Sequence, residues 1–330
     1  MESMMLATTK SPCNQDIPES SKENSTERIF IRANTIPGTL DEIRNKHVIP
    51  VFVKDNEPLI SQADFIETAM GAVSQCYYGD QILKPSIRLS HPIKGRVPDA
   101  RDKPPAELHD WEKTIYYERM MFAIEIPSIA VEINGNLITL TIGGVKSYNQ
   151  DNLYNKKGAD EHFKVFAGFQ NKACTNLCVW SDGFASDIRV KNRGQLQSAI
   201  SNLLTSYNPV DHAIQMSTLA EHSITEEQFA HLIGRCRMYQ YLPMKIKEDI
   251  EPLLFGDQQI ASVCRDYYSD SSFCRNKDGS INLWKLYNLF TGANKSTYID
   301  QFLERSVSAS NLVIEICHAL THRTTSWFLT

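Results

Sequence analysis

Residues 122–144 read FAIEIPSIAVEINGNLITLTIGG. Phe122, Ile124 and Ile126 alternate with small or charged residues, and Val131, Ile133, Leu137, Ile138, Leu140 and Ile142 carry the apolar signal onward. A period of two is the mark of a strand with one buried face. Between the runs stands Asn134-Gly135-Asn136. Asn and Gly tolerate positive φ, so this stretch predicts an antiparallel hairpin with a tight turn. Gly143-Gly144 is expected to end its second strand. Parity turns Glu125 away from the apolar set, onto a solvated sheet face.

The pattern extends on both sides. FKVFAGF and the stretch from Cys174 to Trp180 read as two further strands joined through Gln170-Asn171-Lys172, with Asp182-Gly183 as a turn. Upstream, RIFIRAN and HVIPVFVKD are predicted strands. Ser61 reads as the N-cap of a helix over 62–75, with Phe65, Ile66, Ala69 and Val73 on one face. AELHDWEKTIYYERM looks helical. From residue 194 the period becomes helical: Leu196, Ile200, Leu203 and Leu204 form a stripe, and Thr225 with Gln228 resembles a capping box. Helices are expected over 257–268, 281–290 and 297–321. The predicted class is α+β, with a sheet-rich half over 28–193 and a helical half over 194–330 sharing one core. Residues 1–27 are polar and poor in large apolar groups, and read as a disordered tail.

Composition bounds the function. The chain has 330 residues, 42% hydrophobic and 22% charged, with a net charge of −5. No apolar run is long enough to span a bilayer, and the N-terminus is not a secretory signal. The 8 cysteines are scattered rather than arranged as a disulfide framework. Reduced thiols and a cytoplasmic location follow. Residues 84–193 hold 16 basic and 13 acidic side chains, so the basic excess sits mid-chain.

Within that region, KPSIRLSHPIKGRVPDARDKPPAE (84–107) carries five prolines and six Lys or Arg residues and reads as a long irregular connection. Arg88, Lys94, Arg96, Arg101 and Lys103, with His91 nearby and Tyr116 and Tyr117 downstream, interleave positive charge with aromatic rings. Single-stranded nucleic acid is the ligand that this mixture suits, because charge follows the backbone and rings stack on bases. Lys146, Tyr148, Tyr154, Lys156 and Lys157 extend the same surface. A solvated loop beside core tyrosines gives the same pattern. Cys174, Cys178 and His162 are the residue types of a zinc site or a thiol nucleophile, but the spacing lacks a second ligand pair and any nucleophile signature. Buried structural thiols are the expectation, with no cofactor and no catalytic group assigned. The acidic balance elsewhere and the aromatic run around Trp284, Tyr287 and Phe290 suit a second class, a factor that docks a host protein.

Several stretches together carry a family resemblance: HVIPVFVKDNEPLISQADFIE, LSHPIKGRVPDAR, TIYYERMMFAIEIPSI, GGVKSYNQDNLY, HFKVFAGFQNKACTNLCVWSDG, LIGRCRMYQYLP and INLWKLYNLFTGANKSTYID. They resemble an uncharacterised family of Bacteroidetes, domain of unknown function 3871, known chiefly from mobile or conjugative elements. Cys174-Thr175-Asn176 and LWKLYNLFT (283–291) also resemble two short signatures of a broader phage/plasmid-like family, domain of unknown function 932. The resemblance implies a genetic context and supplies no catalytic residues.

Overall fold

A computed structural model describes residues 30–47, 60–151 and 159–330. The hairpin read from 122–144 forms its centre. Strand β5 (Arg119–Ile133) pairs antiparallel with β6 (Asn136–Ser147), and Ile133 faces Asn136 across a two-residue turn. Asn134 and Gly135 take φ of 49° and 76°, the geometry of a tight hairpin turn. The ladder breaks its register between Ile126 and Ala130. Pro127 lies in that break, where a missing N–H costs no ladder bond.

Among the described residues the sheet has six strands. Around the hairpin lie β1 (Thr35–Gly38), β2 (Ser86–Ser90), β7 (Glu161–Asn171) and β8 (Leu177–Val190), in the order β1-β2-β5-β6-β7-β8, with every neighbour antiparallel. On one face Phe122, Ile124, Leu140, Ile142, Phe163 and Phe169 meet helix α2 (Gln62–Cys76) and the helical half. On the other, Met121, Val145, Phe166 and Val179 meet Phe30, Ile31 and the start of the long C-terminal helix. The chain is α+β, as its periodicity indicates.

Helix α2 starts as expected. Ser61 Oγ accepts from Asp64 N, and the Asp64 carboxylate in turn accepts from Ser61 N. Its Phe65 lands edge-on against Phe122 and Phe163, with ring centroids 5.0 and 4.9 Å away. That contact explains Gly144, and close backbone approach explains Gly143. β6 does not stop at Gly143-Gly144 but continues to Ser147. A Cβ on Gly144 would lie 2.4 Å from the Phe65 ring, and one on Gly143 would lie 2.0 Å from the Phe122 carbonyl oxygen. The pair marks a place where other groups press onto the strand, not its end.

Three other local readings change. Phe30 and Ile31 are buried but not in a strand; the first strand is β1. The tail read over 1–27, the first two residues of RIFIRAN and all of HVIPVFVKD except His47 lie outside the described residues. AELHDWEKTIYYERM is not a helix: it holds two 3₁₀ turns, strand β4 (Lys113–Tyr116) and the start of β5. Asp182-Gly183 is not a turn but runs inside β8, with Gly183 held close to the Ala167 carbonyl.

The second half supplies α3 (Arg193–Ser206), α4 (Pro209–Glu221), α5 (Glu226–Tyr239), a short α6 (Met244–Lys247), α7 (Asp257–Ser269), α8 (Leu283–Asn294) and α9 (Ile299–His322). Two short strands, β9 (Ser223–Ile224) and β10 (Ile281–Asn282), tie the starts of α5 and α8 together. Thr225 and Gln228 form the expected capping box. Helix α4 was not anticipated; Asn208 caps it and Pro209 fills its first position. One apolar cluster runs from α2 through the sheet into α4, α5, α7, α8 and α9.

His212 of α4 is buried beside Trp180, and the Tyr207 hydroxyl lies 2.6 Å from its Nδ1. Burial pushes its pKa down from 6.5 to about 3. The unfolded chain therefore binds the proton more readily, and folding stability falls as pH drops below the unfolded value. Between about pH 7 and about pH 5 His212 alone removes about 2 kcal/mol. Urea unfolding across that range should show a shallower pH dependence for His212→Gln; equal slopes would contradict it. Gly143→Ala should lower stability by about 1–3 kcal/mol in the same assay, because the strand backbone has to move.

Candidate functional site

Strands β3 (Ile93–Arg96) and β4 form a two-stranded arm outside the main sheet, with Lys94 opposite Ile115 and Arg96 opposite Lys113. The stretch 84–107 is therefore not an irregular connection; it contains β2, β3 and 3₁₀ turns. Cross-strand partners share a face, which groups Lys94, Arg96 and Lys113. Residues 97–112 form the tip. There Trp111 is 75% exposed, and its ring is stacked on His109 at 4.3 Å with an interplanar angle of 6°.

Folding sorts the predicted contact residues. Lys94 and Arg101 are exposed. Arg96 turns its guanidinium onto the carbonyls of Ala100 and Lys103, closing the tip. Lys103 is paired with Glu112 at 2.5 Å, and Lys113 with Asp110 at 2.8 Å. Arg88 is buried, and its guanidinium donates to the Thr35 carbonyl and hydroxyl, both at 2.9 Å. Tyr116 is half-buried at the root of the arm. Tyr117 is buried, and its hydroxyl donates to Glu42 of α1 (Leu40–Lys46) at 2.9 Å. Burial and that carboxylate push the Tyr117 pKa up to about 12.

The root is an aromatic and polar cluster. His47 lies within 5.5–5.9 Å of the Tyr116, Tyr117 and Tyr148 rings. Its Nδ1 accepts from Tyr117 N at 3.1 Å, so the neutral ring carries its proton on Nε2. Burial lowers its pKa to about 4, which keeps it neutral. Gln62 donates from Nε2 to the Tyr117 carbonyl at 2.8 Å, so His47 and Gln62 grip the two polar groups of one residue. Behind them Lys146 is fully buried. It donates to Asp151 at 2.8 Å and Glu161 at 3.0 Å and stands 4.1 Å from the centre of the Phe163 ring. Lys146 and Tyr148 thus belong to the interior rather than to a charged surface. Tyr154, Lys156 and Lys157 lie outside the described residues.

The cysteines and His162 do not converge. His162 pairs with Arg189 near one end of β7, and Cys178 faces Phe169 near the other. Seven residues of strand separate them, about 24 Å. Cys178 is buried beside Tyr287, and burial raises its pKa. Glu125 has the parity expected and is partly exposed, and its carboxylate accepts from Lys172 at 2.6 Å and from Thr139 at 2.9 Å.

A second constellation joins two motifs distant in sequence. Asn176 donates to the carbonyl of Asn288 at 2.9 Å, and Asn171 approaches the Asn288 side chain at 3.4 Å. Lys295 donates to the Cys174 carbonyl and, at 3.0 Å, to Thr175 Oγ1. Desolvation lowers the Lys295 pKa to about 8. Thr175 holds φ of 60°, rare for a β-branched residue. Only the folded chain brings the Cys-Thr-Asn loop onto the LWKLYNLFT helix.

A family model described as "Domain of unknown function, B. Theta Gene description (DUF3871)" matches residues 14–329. The chain belongs to this family. No curated protein and no solved structure matches it. The family match spans the arm, its root and the asparagine network, so all three lie within the family's domain. Among the described residues no helix is long and apolar enough to cross a membrane.

The buried lysine gives a direct test. Lys146→Ala leaves Asp151 and Glu161 without their cation, and should cost about 3–5 kcal/mol of folding stability. Lys146→Met combined with Asp151→Asn and Glu161→Gln should recover much of that loss. A triple variant no more stable than Lys146→Ala would mean that shape, not charge, holds the cluster.

Proposed function

We propose that the chain is a non-enzymatic accessory protein of mobile elements that binds single-stranded nucleic acid through the β3–β4 arm. The mobile-element setting rests on the family resemblance. The observation that carries the binding reading is Trp111, exposed at the arm's tip and already stacked on His109. A flat ring held with one face against a neighbour offers its other face to a base, at about 1–3 kcal/mol per stacked base. Lys94, Arg101 and Lys113 are exposed cations on the same arm, Lys113 being paired with Asp110. Arg96 and Tyr117 then act indirectly, by fixing the arm and its root, and Arg88 ties β2 to β1 rather than touching ligand.

A second reading is favoured by one observation. Residues 93–116 hold five Lys or Arg and five Asp or Glu, so the arm as a whole carries no net charge. Affinity for phosphates draws on excess positive charge, whereas an exposed tryptophan among mixed charges also suits a protein contact. The arm would then dock a host protein.

Fluorescence anisotropy with a labelled thymidine oligonucleotide over a salt series separates the two. Trp111→Ala should weaken binding about tenfold, the equivalent of about 1.4 kcal/mol of stacking. Lys94→Ala with Arg101→Ala should flatten the salt dependence by about two phosphate contacts. No binding at low salt, or binding indifferent to Trp111→Ala, would remove the nucleic-acid reading and leave the protein contact.

A further inference from the structure

We propose that His318 and His322 form a binding site for a divalent transition-metal ion of the zinc, nickel or copper class. The two residues stand four apart on α9, which places their side chains on one face of the helix, one turn apart. Their ring centroids are 4.3 Å apart, inclined at 50°. Both are exposed, and both line one cleft of about 270 Å³ between α4 and α9, together with Gln215, Thr218, Cys317 and Thr321. The pair needs no helix rearrangement to reach a shared ion.

Three features select the class of ion. Imidazole nitrogens suit zinc, copper and nickel, whereas magnesium and calcium want oxygen donors. The site lies in the last turn and a half of α9, where the unpaired carbonyl ends give the helix partial negative charge and favour a cation. The neighbouring His222 is already engaged: Thr321 Oγ1 donates to the Cys317 carbonyl at 2.8 Å and so accepts from His222 Nε2 at 3.3 Å. Among the described residues no group of three His, Cys, Asp or Glu side chains converges. The site therefore supplies two protein ligands, and water from the cleft completes the coordination. The sequence between the histidines, Ala319-Leu320-Thr321, lacks the glutamate that a hydrolytic His-Glu-x-x-His helix places there. The site binds metal without the general base of that chemistry.

The test is calorimetric titration of the full chain with Ni²⁺ in the presence of excess Mg²⁺, in a Cys76→Ser background that removes an exposed thiol. One saturable equivalent is expected, weakened at least tenfold in His318→Ala and in His322→Ala. Both side chains are exposed, so circular dichroism should show the variants folded. His322→Ala with Arg323→His keeps the number of histidines but breaks the four-residue spacing, and should not restore binding. Absence of saturable uptake, uptake unchanged in the double alanine variant, or full recovery in the shifted variant would each overturn the proposal.

Discussion

The contact on which the rest of the fold depends is Phe65 seated on Gly144. A helix can lie flat on a sheet only where the strand beneath leaves room, and Gly144 of β6 leaves that room. Phe65 then reaches Phe122 and Phe163 at once and ties α2 to β5 and β7 across the width of the hairpin. With α2 fixed, Gln62 at its first turn lies against Tyr117 and Tyr148. The root of the arm is set by packing some distance from the arm itself.

That root is costly to build. A lysine without solvent exposure needs its charge answered, and Asp151 and Glu161 do so while also accepting from the backbone N–H groups of His162 and Ile60. Each carboxylate thus answers the same lysine and one backbone amide, Asp151 the one at the start of β7 and Glu161 the one just before α2. The arm inherits a rigid base, and its tip is closed by Arg96 on the turn's carbonyls. Most of the positive charge in this region maintains structure. The exposed remainder is small, which is why the tip's aromatic pair, rather than its charge, carries the functional reading.

The asparagine network plays the corresponding part between the sheet and the helices. Asn176 and Asn171 converge on Asn288, and Lys295 holds the loop that places Thr175 in a left-handed conformation. Such a backbone costs about 1–3 kcal/mol and persists where its surroundings over-determine it. Here the surroundings are a helix more than a hundred residues away.

Local pattern in the chain specifies the hairpin, its turn, the N-cap at Ser61, the capping box at Thr225 and the change of period at residue 194. Each is a local matter: alternation, positive φ at Asn-Gly, and side chains that bond three residues along. Local pattern misreads Gly143-Gly144 as a strand end, 106–120 as a helix and Asp182-Gly183 as a turn, because glycine, proline and aromatic residues serve equally in turns and in crowded packing. Membership of a basic, tyrosine-flanked segment also gave no means to tell Arg88 from Lys94, or Tyr117 from Trp111. The fold draws that distinction, since a charge or a ring is available to a ligand only where nothing else has already taken it.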